Sequence, residues 1–98
     1  MNLLKDYVNF VDEVTSDQSK YFGDMVEALQ ILQEQGVEVS RLLTAGIGMS
    51  GEIGEFNEII KKCIFQGKEM DEDKIMHLRK ELGDIMWYVA QACLALNT

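Results

Sequence analysis

Two pairs of acidic residues lie inside apolar stretches of this sequence. Glu52 and Glu55 form one pair, and Glu81 and Asp84 form the other. Residues three apart on a helix share a face about one turn from each other, so each pair would present two carboxylates together. If two such helices pack side by side, four carboxylates meet, and their repulsion favours capture of a proton or a cation. The spacing therefore predicts a metal site.

The type of ligand indicates which metal and which chemistry to expect. Carboxylate oxygens suit Mg²⁺ or Mn²⁺ better than zinc or copper, and bound Mg²⁺ keeps positions open for water and phosphate oxygens. The corresponding chemistry is metal-assisted attack of water on a phosphoanhydride. A di-iron carboxylate bundle would need Glu-x-x-His on two helices, and the sequence has one histidine. Either acidic pair alone is more typical of a solvated helix face, so the prediction depends on both.

Composition limits the class of protein and its partners. A chain of 98 residues fits one domain, and its hydrophobic content of 47% is enough for a core with apolar residues left for a subunit interface. The net charge of −8 argues against nucleic acid or an anionic membrane as partner. The sequence shows neither an apolar run long enough to span a membrane nor a signal-peptide pattern. Cys63 and Cys93 lack metal-ligand spacing and are predicted to be reduced core residues of a cytoplasmic protein.

The elements that must position the carboxylates are helices. Proline is absent and β-type alternation is not sustained, so we predict an all-α fold. Apolar periodicity indicates one helix ending near residues 15–17, one from 22 to a stop at Gly36, one over 39–65 stopped by Gly67, and one from 71 through 96. We expect these four helices to form one four-helix bundle-like domain. The short turn at Gly67 would make the last two antiparallel neighbours.

Four glycines fall in the first half of the third predicted helix, at positions 46, 48, 51 and 54. Glycine in a helix interior is unfavourable, so their presence requires a reason. One interpretation is a kink or a break, with Ser50 capping a new helix. The other is that the glycines let another backbone or a bulky ligand approach the helix closely. The sequence leaves both open.

Three segments carry a specific combination of residues: 51–56 (GEIGEF), 60–67 (IKKCIFQG) and 80–88 (KELGDIMWY). Together they resemble the MazG-like nucleoside triphosphate pyrophosphohydrolases, which belong to an all-α superfamily with dimeric dUTPases and phosphoribosyl-ATP pyrophosphatases. The resemblance extends over residues 43–96, a little over half of the chain. It rests on both acidic pairs, the glycine turn between them and the Trp-Tyr pair after Asp84.

The resemblance implies an activity and a set of site residues. The activity would be Mg²⁺-dependent hydrolysis of ribo- or deoxynucleoside triphosphates to the monophosphate and pyrophosphate, in nucleotide-pool control or house-cleaning. Glu52 or Glu55 would position or deprotonate the attacking water. The base would bind between helices of different subunits, so we expect a homodimer or homotetramer of a single MazG-like domain over residues 1–98. The implied Mg²⁺ ligands, with Mn²⁺ as an alternative metal, are Glu52, Glu55, Glu81 and Asp84.

Other residues are candidates for binding the substrate. Lys62 is placed to contact a phosphate, and Lys80 could replace a basic residue that the superfamily often carries before its third acidic ligand. Trp87 and Tyr88 could stack on a base, although aromatic residues on an apolar helix are more often core. His77 could bond a carboxylate or phosphate, or be a surface histidine. Two other functions stay open: a catalytically inactive nucleotide- or metal-binding bundle, and a purely structural helical oligomer.

Overall fold

The computed structural model describes residues 2–98, and the regular structure in that range is entirely helical. The all-α prediction is confirmed, and the four predicted helices are present close to their expected bounds. A single-turn helix that the sequence did not predict, α2, lies between the first two. The helices are α1 (Leu3–Val14), α2 (Asp17–Lys20), α3 (Phe22–Glu34), α4 (Val39–Phe65) and α5 (Glu72–Leu96).

The chain divides into two compact units, the first ending at Gly36 and the second spanning Val37–Thr98. In the first unit, α1 begins at Asn2, whose side-chain Oδ1 accepts a hydrogen bond from the Lys5 backbone N–H at 3.0 Å. Helix α2 packs against α3, and Gly36 follows α3 with a φ of +92°, which glycine adopts without strain. A single domain over residues 1–98 stays a prediction.

The second unit contains the two long helices, α4 and α5, packed against each other. Gly67 ends the first with a φ of +65°, and the Lys68 backbone N–H bonds the Lys62 carbonyl at 3.2 Å. The N-cap of α5 is Asp71, whose carboxylate accepts hydrogen bonds from the Lys74 backbone N–H at 2.9 Å and from the Lys74 Nζ at 3.1 Å. These bonds, the backbone one first, lower the pKa of Asp71. Asp71 is thus the N-cap of helix α5.

Helix α4 runs without interruption through its four glycines, so a helix break capped by Ser50 is wrong. The buried apolar residues of this unit are Val39, Ala45 and Ile59, all on α4. Cys63 and Cys93 are half-buried free thiols. Across residues 2–98, none of the helices combines the length and the apolar character needed to cross a membrane.

Candidate metal centre

The packing of α4 on α5 brings three of the four predicted ligands into one cluster. Carboxylate oxygens of Glu52, Glu55 and Glu81 all lie within 4.8 Å of one another. Asp84 lies beside this trio, where it lines with Glu52 a cavity of about 410 Å³. The two acidic pairs therefore face each other across the helix pair, as the spacing predicted.

Glu81 is the most deeply buried member of the cluster, with 3% of its surface exposed. Its Oε1 lies 3.1 Å from Nε2 of His77, one turn earlier on α5. Its Oε2 is buried without a hydrogen-bond partner, and so is Oε2 of Glu52. A buried carboxylate oxygen without a donor is costly, and two of them in one cluster fit a hard divalent cation, which takes oxygen ligands.

The neighbouring carboxylates also change the pKa of Glu52. The pKa of Glu52 is raised, first because its protonated form would donate a hydrogen bond to Glu81, then by burial and by the charges of Glu81 and Asp84. A hydrogen bond with Glu55 acts in the opposite direction. When all are ionised, none can donate, which leaves the oxygens described above without partners. In the absence of a cation, a shared proton is the remaining way to stabilise the cluster.

The raised pKa of Glu52 predicts how the metal-free protein responds to pH. The folded protein holds this proton more tightly than the unfolded chain does, so its stabilising effect is complete below the ordinary glutamate pKa. That stabilisation is lost as the pH rises through the raised pKa. We expect the melting temperature in a chelator to fall over this window, and Glu52→Gln to flatten the fall. An unchanged pH dependence in Glu52→Gln would contradict the assignment.

Two aromatic residues that the sequence singled out lie at the same site. Trp87 and Tyr88 line the cavity that contains Glu52 and Asp84. Their rings meet edge to face, with centroids 5.1 Å apart and planes at 89°. This geometry is favourable for an aromatic pair. Tyr88 is half-buried, whereas Trp87 is 57% exposed and has surface available for contact with a ligand.

The basic candidates are placed differently. Lys62 and His77 line a second cavity of about 280 Å³ that includes Glu55, on the side of the cluster toward the α4–α5 turn. Lys80 is exposed on α5, outside both cavities. The structure therefore brings one of the two candidate lysines next to the carboxylates, and substrate contact by Lys80 stays a prediction.

Two contacts at the site went beyond what the sequence specified. The first is the close approach of His77 Nε2 to Glu81 Oε1, for which the four-residue spacing was the available signal. The second involves Gly48, where an added Cβ would overlap the ring of Tyr88. One of the two interpretations of the glycines was that another backbone or a ligand approaches α4 closely, and it identified neither Gly48 nor a side chain as the neighbour.

The sequence was compared with models of known protein families. The family model of the MazG nucleotide pyrophosphohydrolase domain matches residues 41–97, which is more than half of the chain. The chain belongs to the MazG nucleotide pyrophosphohydrolase family. The matched MazG segment contains nearly all of α4, the turn and α5, and hence both acidic pairs. Neither the curated proteins nor the solved structures gave a match. Membership of the MazG family indicates nucleotide pyrophosphohydrolase activity in general and, with the carboxylate cluster, dependence on a divalent metal.

Proposed function

We propose that this protein is a Mg²⁺-dependent pyrophosphohydrolase that converts ribo- or deoxynucleoside triphosphates to the monophosphate and pyrophosphate. The observation that supports this most directly is the pair of buried, partnerless oxygens on Glu52 and Glu81 within the MazG segment. A bound cation would offset the cost of burying these oxygens. We further propose a role in nucleotide-pool control or house-cleaning, in the cytoplasm.

The four carboxylates would bind the metal, and one of them would also accept a proton from water. Glu52, Glu55, Glu81 and Asp84 would hold the metal, and bound Mg²⁺ or Mn²⁺ supplies positive charge that offsets the charge developing on the triphosphate. Glu52 or Glu55 would accept the proton of the attacking water as its oxygen bonds to phosphorus and the bond between the α- and β-phosphates breaks. Pyrophosphate leaves with that electron pair.

The two cavities suggest where the ends of the substrate lie. Lys62 borders Glu55 in the second cavity and would pair with phosphate oxygens, with Lys80 as the further candidate. Trp87 and Tyr88 border Glu52 and Asp84 in the first cavity and would contact the base. A nucleotide lying along the helix pair would thus place its anionic end toward the α4–α5 turn.

Exposed apolar residues support an oligomer. Met86 is 62% exposed and Leu82 is 51% exposed on α5, and Ile47 on α4 is 71% exposed. Monomers rarely leave large apolar patches in water, so a second copy of the chain is a suitable cover. We propose a homodimer or homotetramer in which the base cleft is completed between subunits, with no nucleic acid or membrane partner.

Pyrophosphate release from a panel of ribo- and deoxynucleoside triphosphates, with and without Mg²⁺, tests this function. We expect equal amounts of monophosphate and pyrophosphate from at least one substrate, only with the metal. Release of orthophosphate would contradict the reaction. Binding without release from any substrate would favour the catalytically inactive nucleotide- or metal-binding protein.

The 3.1 Å contact between Nε2 of His77 and Oε1 of Glu81 leads to a prediction about metal affinity. His77→Leu removes the group that fixes Oε1 of Glu81, so we expect affinity for Mn²⁺ to fall about tenfold, at the low end for residues that orient a metal ligand. His77→Gln keeps a donor and should lose less. The measurement is a direct Mn²⁺ titration, and wild-type affinity in His77→Leu would show that the contact does not orient the ligand.

A further inference from the structure

Among the four glycines of α4, Gly48 is the one that packs against a side chain, the ring of Tyr88. A Cβ built at this position would overlap three ring carbons of Tyr88, namely Cδ1, Cε1 and Cζ. The same atom added at Gly46, Gly51 or Gly54 would meet nothing within 4 Å. The backbone of α4 at Gly48 is therefore a notch of about the width of one missing side-chain atom, and the ring of Tyr88 fills it.

The notch lies at one end of the candidate site. Gly48 precedes Glu52 by one helical turn on α4, and Tyr88 follows Asp84 by one turn on α5. The ring that fills the notch also lines the cavity shared by Glu52, Asp84 and Trp87. With any larger residue at position 48, the ring would have to turn toward this cavity or push the two helices apart, because both positions cannot be occupied at once.

We propose that Gly48 is a positioning residue for the nucleotide: by seating Tyr88 on the backbone of α4, it keeps the cleft beside Trp87 open to a planar ring. The identity of the ligand rests on the proposed function, whereas the seating of Tyr88 does not. Gly48 would not touch the substrate itself. Its effect would pass through Tyr88 and through the edge-to-face contact of Tyr88 with Trp87.

Gly48→Ala tests the proposal, with Gly46→Ala as its matched control on the same helix. For the best triphosphate of the panel, we expect KM to rise roughly tenfold in Gly48→Ala, which is typical for one overpacked contact. Because the carboxylates are untouched, kcat and Mn²⁺ affinity should stay near wild type. Gly46→Ala should leave all three unchanged. Equal KM values in the two variants would overturn the proposal.

Making Gly48→Ala in the Tyr88→Ala variant distinguishes an effect on the position of the Tyr88 ring from a general destabilisation of α4. Tyr88→Ala removes the overlapping ring, so adding Gly48→Ala to it should raise KM no further. If Gly48→Ala alone fails to fold, the double variant should fold, since its notch is empty. If the rise in KM of the double variant equals the combined effect of the two single substitutions, Gly48 does not act through Tyr88. Failure of the double variant to fold would show the same.

A readout that needs no activity distinguishes failure of this proposal from failure of the proposed function. Trp87 is the only tryptophan of the chain and touches Tyr88 edge to face, so its emission reports where the ring lies. We expect Gly48→Ala to change this emission and Gly46→Ala to leave it as in wild type. If no triphosphate is hydrolysed, the proposed function fails, but changed emission still supports the seating of Tyr88. Unchanged emission overturns it.

Discussion

Glu81→Gln is expected to abolish pyrophosphate release while making the metal-free protein more stable than wild type. Removing one preorganised electrostatic contact from a site typically lowers kcat roughly 10²–10³-fold, and Glu81 is the most deeply buried of the proposed metal ligands. In the metal-free protein the same change removes a buried negative charge next to Glu52. The new amide would keep an oxygen beside Nε2 of His77 and could donate a hydrogen bond toward Glu52, whose Oε2 lacks a donor.

The expected gain in the free energy of unfolding is about 1–3 kcal/mol, the usual cost of a buried group without a partner. Thermal or urea denaturation in a chelator measures it, beside a pyrophosphate assay with Mg²⁺. Glu69→Gln removes one negative charge from an exposed position and should change neither quantity. If Glu81→Gln lost activity and also became less stable, Glu81 would be a residue that supports the fold. If Glu81→Gln kept its activity, Glu81 would not belong to the active site.

Helical periodicity explains why so much of the site could be predicted from the sequence. The predicted bounds of α4, residues 39–65, agree with the structure because Gly67 marks a sharp helix end and the apolar stripe is continuous. The three-residue spacing places both carboxylates of a pair on one face, and a short turn makes the two helices that carry the pairs neighbours. Helix α2 was missed because one turn is too short to show any periodicity.

The depth of each carboxylate could not be predicted in the same way. Rotation per residue gives the face of a helix, and it therefore places the two carboxylates of each acidic pair together. It does not give the distance to the neighbouring helix, which depends on residues such as Gly48 that allow close contact. The burial of Glu81, the exposure of Glu55 and the choice of Gly48 among four glycines are properties of the packed pair. They appear only when α4 and α5 are placed together.

Adding Mg²⁺ or Mn²⁺ is expected to raise the melting temperature of the second unit, followed by Trp87 emission. At a metal concentration of a hundred times Kd, binding to the folded state alone contributes about 2.7 kcal/mol. For a domain of this size that corresponds to a shift of roughly 10–20 °C. Glu81→Gln, which begins from a more stable metal-free state, should show little of this shift because the cluster has lost its deepest ligand.

The net charge of −8 requires a control for non-specific effects of salt, because any cation would reduce the repulsion between the many acidic residues of the chain. Screening of that kind depends on ionic strength and not on the identity of the cation. NaCl at matched ionic strength should therefore give a much smaller shift than Mg²⁺, and Glu69→Gln should respond to Mg²⁺ as wild type does. An equal shift with NaCl, or an undiminished shift in Glu81→Gln, would mean that the carboxylates repel one another without forming a metal site.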